Sequence, residues 1–381
     1  MPDVLIIGGG VIGLSLAWDL AQHGQSVQVI DRGEPGKEAS WAGAGLLPPA
    51  SWEAAFHPSD QLRALSSELH PQWAAALSLQ TGIDTGYRLC GGIYLARTPG
   101  ETASLVAWAG AAADEGIEIR RLNERELEES GVNSGRAGGV SPLILRVSNN
   151  QGILAAYLLP HEAQLRNPRH VQALRISCEQ LGVEITPGVE ALDFDIRAGR
   201  LAAVITSAGP MQARQFCFTS GAWTGKLCTR LGIPLGILPI RGQMVLFNTG
   251  EASSLKPIVT EGSRYLVPRD DGRVLAGSTE EEVGFDKSTT EEAIADLTSF
   301  ARGLIPALEN APVERTWAGL RPASFDGLPY LGPLPGLSNC FIASGHFRSG
   351  LYLSPATAVV MSQLLRGEQP RIDLGPFRVL R

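Results

Sequence analysis

The chain has 381 residues, of which 44% are hydrophobic and 19% are charged, with a net charge of −7. This length allows one large core or, more readily, two domains. The acidic balance, without a basic stripe of interleaved aromatic residues, argues against nucleic acid as a partner. No apolar run approaches the ~20 residues of a bilayer span, and the N-terminus leads directly into an apolar strand pattern. We therefore expect neither a membrane span nor a signal peptide.

Cysteine use bears on the compartment and on metal binding. The five cysteines are scattered along the chain and lack C-x-x-C spacing: Cys90, Cys178, Cys217, Cys228 and Cys340. This pattern suits reduced thiols in the cytoplasm. It predicts no metal site.

The beginning of the chain is its most informative segment. Residues 4–7 are apolar and lead into Gly8-x-Gly10-x-x-Gly13, and residues 14–20 have helical spacing. In such a strand–turn–helix unit the first glycine allows the turn, the second lets the backbone approach a pyrophosphate, and the third lets helix pack on strand. We therefore predict a dinucleotide whose phosphates lie at the positive end of a helix dipole. A purely structural glycine turn is the alternative.

A second strand, residues 26–30, ends on Asp31. An acidic residue about 20 positions beyond the third glycine is placed to accept hydrogen bonds from a ribose hydroxyl, and it would repel a 2′-phosphate. At this point NAD and FAD both remain open.

The remaining elements alternate between helical and strand patterns. Turn signals such as Asp270-Asp271-Gly272 separate several of them. In chain order we predict a helix at 60–81, a strand at 91–96, helices within 99–129, a helix at 168–180, a strand at 182–185, half of a β-ribbon at 199–206, a strand at 215–219, an antiparallel meander within 239–279, a strand at 339–344 and a helix at 351–365.

This order predicts a mixed α/β fold in which a Rossmann-type nucleotide-binding domain is interleaved with an antiparallel-sheet substrate domain. We predict that residues 1–82, 146–224 and 316–366 form the nucleotide-binding domain. Residues 83–145 and 225–315 would form the substrate domain, and residues 367–381 a C-terminal tail.

The end of the chain favours a flavin over NAD. Residues 341–365 supply a second strand, glycine loop and helix, and so a second helix N-terminus directed at a ligand. Such a dipole can stabilise the negative charge that develops on the pyrimidine ring of a flavin during reduction. NAD enzymes have no need of it.

With these motifs in place, the sequence resembles the glycine oxidase and D-amino-acid oxidase family of flavoproteins, and more closely its glycine oxidase branch. The matching motifs occur in family order over nearly the whole chain: Gly8-x-Gly10-x-x-Gly13, Ala42-Gly43-Ala44-Gly45, Gly221-Ala222-Trp223, Tyr265-x-Val267-Pro268-Arg269, Gly277-Ser278-Thr279, Trp317-Ala318-Gly319-Leu320-Arg321-Pro322, Asp326-Gly327-x-Pro329-Tyr330-x-Gly332 and Gly345-His346-Phe347-Arg348-x-Gly350.

The resemblance implies non-covalently bound FAD and a set of residues around it. The implied cofactor-binding residues are Gly8, Gly10, Val11, Ile12, Gly13, Asp31, Arg32, Ser40, Ala42, Gly43, Ala44, Gly45, Leu46, Val189, Ser220, Gly221, Trp223, Arg321, Gly345, His346, Phe347, Arg348, Ser349, Gly350 and Leu351.

The resemblance also implies three residues that act on the substrate. Arg321 resembles the arginine that binds the substrate carboxylate, a role that its planar fork suits. Tyr265 resembles the tyrosine that shares this carboxylate, and Arg348 the second arginine beside flavin and substrate. The alternatives are an inter-domain salt bridge for Arg321, a half-buried strand aromatic for Tyr265 and a solvated side chain for Arg348. We do not expect His346 to be a catalytic base, because a lone histidine in a glycine loop more often makes a structural hydrogen bond.

One position departs from the family pattern. Glycine oxidases tend to have an apolar residue after Gly-x-Thr, whereas this chain has Glu280, followed by Glu281 and Glu282. A buried carboxylate is costly unless it is paired. We expect Glu280 either to face water or to pair with a cationic group of the substrate, which leaves a preference for glycine itself open.

The resemblance implies oxidation of glycine, another small amino acid or a secondary amine, by hydride transfer to flavin N5 with O2 as acceptor and H2O2 as product. A dehydrogenase that passes electrons to a quinone or carrier protein is one alternative. A non-catalytic flavin-binding protein is another, although it would need no carboxylate clamp. The expected partners are a small amine substrate and O2, and a homo-oligomer remains compatible with the sequence.

Overall fold

The structure is a computed structural model that describes residues 1–134, 152–250 and 255–381. Its α-helices, in chain order, are α1 Val11–Gln22, α2 Ala39–Ala42, α3 Pro58–Thr81, α4 Pro99–Asp114, α5 Glu124–Glu129, α6 Asn167–Gln180, α7 Thr224–Arg230, α8 Glu291–Leu304 and α9 Gly350–Leu365. The strands are β1 Val4–Ile7, β2 Val27–Ile30, β3 Leu46–Leu47, β4 Arg88–Leu89, β5 Gly92–Ala96, β6 Arg120–Arg121, β7 Ala155–Leu159, β8 Ala163–Gln164, β9 Glu184–Thr186, β10 Ala191–Arg197, β11 Arg200–Thr206, β12 Gly209–Met211, β13 Gln215–Phe218, β14 Ile237–Asn248, β15 Ile258–Glu261, β16 Arg264–Pro268, β17 Arg273–Gly277, β18 Val313–Ser324, β19 Tyr330–Pro333 and β20 Cys340–Ser344.

The first sheet has six strands in the order β19-β20-β13-β1-β2-β9. All neighbours are parallel except β19, which runs antiparallel to β20. Side chains alternate across β1: Val4 and Ile6 join a core with α1, α3, α6 and α9, whereas Leu5 and Ile7 join a core with the β10-β11-β12 sheet and α7. A parallel sheet covered on both faces in this way explains why β1 is a continuous apolar run.

The second sheet has eight strands in the order β18-β14-β17-β16-β15-β5-β7-β6. It is antiparallel except for the β5–β15 pair. One face is covered by α8, through residues such as Phe300 and Leu304. On the other face, Met244 and Tyr265 pack with Ala44 of the loop that follows α2. The second sheet therefore presents one face to a loop of the nucleotide-binding motif.

Two strands fall differently from the predicted domain segments. Strand β7 pairs with β5 and so belongs to the second sheet, although its residues lie in the segment 146–224. Strand β18 crosses the predicted boundary between 315 and 316. The boundary between 145 and 146 lies outside the described residues, and the domain boundaries stay a prediction.

The predicted meander is present, but its first strand is longer than the sequence pattern indicates. Strand β14 pairs with β18 from Ile237↔Ser324 to Phe247↔Val313, and this pairing includes Pro239↔Pro322. Strand β18 was not predicted, because its prolines and charged residues obscure the alternation of a strand. This long pairing fixes Arg321 opposite Ile240 of β14. Over the described ranges, no helix is both long and apolar enough to cross a bilayer.

Candidate active site

One cavity extends from the glycine turn of the first sheet to the inner face of the second. Most residues that the resemblance implied line it. These are Gly8, Gly10, Val11, Ile12, Asp31, Arg32, Ser40, Ala42, Gly43, Ala44, Gly45, Leu46, Val189, Ser220, Gly221, Trp223, Tyr265, Arg321, His346, Phe347, Arg348, Gly350 and Leu351. Gly13, Gly345 and Ser349 lie beside the cavity without lining it. The binding roles of all these residues stay predictions.

The glycine turn has no room for side chains. Gly8 has φ +119°, and a Cβ atom there would lie 2.7 Å from the backbone of Thr219. A Cβ atom on Gly13 would lie 2.0 Å from the carbonyl oxygen of Gly8. Gly13 therefore acts through packing, since its lack of a side chain lets α1 start directly behind the turn. The first backbone amide of α1, that of Val11, donates to Ser40 Oγ at 2.9 Å.

Asp31 stands at the end of β2, as predicted. Its carboxylate accepts hydrogen bonds from the amides of Gly9 at 2.8 Å and Gly33 at 2.9 Å. Burial raises the pKa of Asp31 above its usual value, while these two amides and the charge of Arg32 act in the opposite direction. The side chain is held at the cavity wall, where a ribose hydroxyl could reach its remaining lone pairs.

The loop of small residues after α2 is locked from behind by a residue that the sequence reasoning missed. Arg269 is buried, and it donates to the carbonyl oxygen of Ala44 at 2.7 Å and to Gln164 Oε1 at 2.7 Å. Burial lowers the pKa of Arg269 to about 9. A Cβ atom on Gly45 would lie 1.9 Å from the carbonyl oxygen of Leu165, so the loop cannot retreat from the cavity. The available signal was the position of Arg269 at the end of the Tyr-x-Val-Pro-Arg motif.

Stacked side chains close the flank of the cavity near Asp31. Arg32 lies over the ring of Trp223 at 3.7 Å, and Trp223 packs on Phe285 with ring centroids 5.5 Å apart. Lys226 lies over the other ring of this pair, that of Phe285, at 3.7 Å. Trp317 of β18 donates from Nε1 to the carbonyl oxygen of Ala42 at 3.1 Å. Trp223 is thus part of the cavity wall, and Trp317 is bonded to Ala42, another residue of that wall.

The loop before α9 supplies the second helix N-terminus. His346 is buried, and its Nε2 lies 3.1 Å from Thr357 Oγ1. Burial lowers the pKa of His346 to about 3, so its ring is neutral at physiological pH. This geometry supports the expectation of a structural hydrogen bond rather than a catalytic base. The turn Phe347–Ser349 leads directly into α9 and places Arg348 at the cavity.

Arg321 projects from β18 into the cavity. Its guanidinium donates to the carbonyl oxygen of Thr279 at 3.1 Å and to the hydroxyl of Ser278. In the described part of the chain no carboxylate forms an ion pair with it. Burial lowers the pKa of Arg321, whereas the neighbouring Tyr265 raises it. A partly desolvated cation with spare donors and no anionic partner is suited to an anionic ligand.

Two residues from the second sheet hold this arginine in place. A Cβ atom on Gly242 would lie 2.2 Å from Arg321 Nη2, so the guanidinium occupies the space left by the missing side chain. Tyr265 is buried, and its hydroxyl lies 3.5 Å from Met244 Sδ. The Tyr265 side chain also forms a hydrogen bond with Arg321. The sequence reasoning did not single out Gly242, because a lone glycine in a strand pattern has no distinctive signature.

Arg348 differs from Arg321 because it has an acidic partner. Its Nη1 lies 3.1 Å from Glu280 Oε2, and its Nη2 donates to the carbonyl oxygen of Ser263 at 3.1 Å. Glu280 is exposed and is not among the residues that line the cavity. The sequence reasoning placed Glu280 in water or against a substrate cation. Its exposed position agrees with the first of these alternatives, and the structure in addition pairs it with a cation of this chain.

The segment 278–290, which carries Ser278, Thr279 and Glu280, is fastened to β14. Arg241 is buried and pairs with Glu281 and with Asp286, the latter at 2.7 Å. Gln243 donates from its backbone amide to Thr279 Oγ1 at 3.0 Å and from its side-chain Nε2 to Glu281 Oε1 at 2.9 Å. The sequence reasoning took the acidic run for a solvated or substrate-facing group, and it missed this anchoring because Arg241 and Gln243 lie about 40 residues earlier.

Within the described ranges, no group of three or more His, Cys, Asp or Glu side chains could hold a metal ion.

Residues 3–364 match the DAO family, described as FAD dependent oxidoreductase. The chain is 36% identical over 378 residues to glycine oxidase of Pseudomonas putida, covering 98% of this chain and 97% of that one. It superposes on the crystal structure of glycine oxidase from Geobacillus kaustophilus with a TM-score of 0.90 at 30% identity, covering 100% of this chain and 98% of that one. Iminodiacetate oxidase from Chelativorans sp. BNC1 superposes with a TM-score of 0.85 at 26% identity, covering 98% of each chain. These matches confirm the predicted fold class, cofactor and enzyme class: the chain belongs to the DAO family of FAD-dependent oxidoreductases.

Proposed function

We propose that this enzyme oxidatively deaminates glycine or another small amino acid or secondary amine, with O2 as the electron acceptor and H2O2 as a product. The observation that carries the proposal is Arg321, a desolvated guanidinium in the cavity without an acidic partner in the described chain. The similarity to glycine oxidases over almost the full length supports the same reaction type. The compartment is proposed as the cytoplasm, which five free thiols suit.

The residues present fit FAD. The glycine turn and α1 offer a site for the pyrophosphate, Asp31 for a ribose, and the N-terminus of α9 for the flavin ring. When bound, FAD supplies the chemistry by accepting a hydride at N5 and returning two electrons to the oxidant.

The protein positions the amine. In this proposal Arg321 binds the substrate carboxylate through a charge-assisted hydrogen-bonded pair, and the hydroxyl of Tyr265 shares it. Fixing the carboxylate orients the neutral amine and its Cα–H toward the ring, so that a bimolecular encounter becomes a bound, aligned one. The imine that leaves takes up water and yields the oxo acid together with ammonia from a primary amine, or the corresponding amine from a secondary one. His346 takes no part, because it is buried and bonded to Thr357.

The flavin is proposed to be held without a covalent bond. No cysteine of the described chain is among the residues that line the cavity, and Cys340 is buried within β20. Acid precipitation of the holoenzyme should therefore release the flavin into the supernatant. Flavin that stays with the precipitate would contradict this point.

The test is a substrate panel of glycine, sarcosine, small D-amino acids and proline on the purified holoenzyme. Anaerobic mixing should bleach the flavin with at least one of them, and subsequent mixing with O2 should restore it while peroxide forms. Bleaching followed by slow reoxidation would instead indicate a dehydrogenase that uses a quinone or carrier protein. No bleaching with any small amine would contradict the proposal.

A further inference from the structure

The two cavity arginines differ in what their charges face. Arg348 uses both terminal nitrogens: Nη1 pairs with Glu280 at 3.1 Å, and Nη2 donates to the carbonyl oxygen of Ser263 at 3.1 Å. Arg321 donates to the uncharged oxygens of Ser278 and Thr279, and no carboxylate of the described residues forms an ion pair with it. One arginine is therefore neutralised within the protein, and the other keeps its full charge for a ligand.

The neutralised pair lies close to the charged arginine. Strand β18, which carries Arg321, forms an isolated antiparallel bridge to the α9 loop at Ala323↔His346, two residues before Arg348. The pKa of Arg321 is lowered mainly by burial, then raised by Tyr265, lowered by the charge of Arg348 and raised by that of Glu280. Both members of the pair thus act on the field at the substrate end, with opposite signs.

The backbone around Glu280 is fixed rather than free to drift. On one side the carbonyl oxygen of Thr279 accepts from Arg321, and on the other Glu281 pairs with the buried Arg241. The backbones of Arg241 and Glu281 also exchange hydrogen bonds at 2.9 and 3.0 Å. Glu280 is therefore presented to Arg348 from a rigid segment, although its own side chain is 45% exposed.

We propose that Glu280 determines specificity by occupying Arg348, so that the site accepts amines with one carboxylate and disfavours those with a second acidic group. The inference rests on the proposed function, since it concerns the same site. A second carboxylate would meet an arginine whose charge is already compensated by an ion pair, together with the like charge of Glu280. Without Glu280, Arg348 would become a second carboxylate-binding group.

Sarcosine and iminodiacetate provide a matched test, because both are secondary amines and the latter replaces a methyl group with a carboxymethyl group. The measured quantity is the second-order rate constant for anaerobic flavin reduction by sarcosine, divided by that for iminodiacetate. In the wild-type holoenzyme this ratio should favour sarcosine. In Glu280→Gln it should fall roughly tenfold or more, as expected when one charge-assisted hydrogen bond becomes available.

Three further variants separate this role from a general effect. Glu282→Gln removes the same charge two residues away, from an exposed side chain without an ion pair among the described residues, and should not shift the ratio. Arg348→Met leaves Glu280 uncompensated and should shift the ratio further toward sarcosine. The double variant Glu280→Gln with Arg348→Met should lose the gain for iminodiacetate, because that gain requires the arginine.

A ratio that stays at the wild-type value in Glu280→Gln, while sarcosine still reduces the flavin, would overturn this inference and leave the proposed function standing. A gain for iminodiacetate that persists in the double variant would also overturn it. If Glu280→Gln lost turnover only with substrates that carry a second amino group, the inference would also be overturned, since Glu280 would then bind the substrate directly. Absence of flavin reduction by every amine would instead reject the proposed function.

Discussion

The two ends of the cavity are built in different ways. At the nucleotide end, a short stretch of sequence from Gly8 to Asp31 forms the site through backbone atoms, which pack closely where glycines lack a side chain. At the substrate end, side chains from β16, β18, the segment 278–290 and the α9 loop converge from distant positions. The first end tolerates little change because backbone cannot move aside. We expect the second to accept single substitutions without loss of the cofactor.

The largest effect is expected at the nucleotide end. Gly13→Val would force a Cβ atom to within 2.0 Å of the carbonyl oxygen of Gly8, where no flexible side chain can yield. We expect a protein that folds poorly and retains little flavin, measured as flavin absorbance per chain. Gly303→Ala in α8 is the control, because its Cβ atom would meet nothing within 4 Å. Normal flavin content in Gly13→Val would refute the packing role.

At the substrate end, Arg321→Met should separate catalysis from cofactor binding. Losing the charge-assisted contacts to a carboxylate is worth about 1.5–3 kcal/mol, which corresponds to a roughly 10- to 100-fold rise in KM for amino-acid substrates. Flavin content should remain normal. Arg315→Met, on the same strand but exposed, serves as control. Unchanged steady-state kinetics would move the carboxylate contact elsewhere, with Arg348 the next candidate.

A smaller effect is expected from the residue that supports this arginine. Gly242→Ala would place a Cβ atom 2.2 Å from Arg321 Nη2, so the guanidinium must shift while its charge is kept. A misplaced clamp should raise KM roughly tenfold or less, again with normal flavin content. In Gly236→Ala the new Cβ atom would make only an ordinary contact, 3.6 Å from Phe325, and should leave KM unchanged. Equal behaviour of both variants would deny Gly242 this role.

The smallest effect concerns stability, in the helices behind the nucleotide end. His170 on α6 is buried and both of its ring nitrogens lack a hydrogen-bond partner, and burial lowers its pKa to about 3. The unfolded chain binds a proton there below about pH 6.5, whereas the folded protein does not, so stability should fall as pH decreases from 6.5. His170→Leu should reduce this slope by up to about 1.4 kcal/mol per pH unit.

Thermal melts of the holoenzyme between pH 7.5 and 5 would measure that slope. An acid slope in His170→Leu that matches the wild type would show that this histidine is not protonated on unfolding in that range.

The same contrast explains what the sequence could predict. The helices and strands around Gly8, Asp31 and α9 follow from local period and turn chemistry, because a parallel sheet covered on both faces leaves continuous apolar runs. The residues of the substrate end were assigned through resemblance rather than through pattern. The role of Gly242, the buried Arg269 and the pairing of Glu280 with Arg348 depend on contacts across many residues, and no local pattern encodes such contacts.

In the proposed complex, Arg321 holds a small amino acid or secondary amine over a flavin that is bound at the glycine turn. Anaerobic stopped-flow mixing of the holoenzyme with glycine or sarcosine, for the wild type and for Arg321→Met at equal flavin content, tests it most directly. The account predicts saturable flavin bleaching in the wild type and, in the variant, saturation only at roughly 10- to 100-fold higher substrate concentration. Bleaching that saturates at the same concentration in both proteins would contradict it.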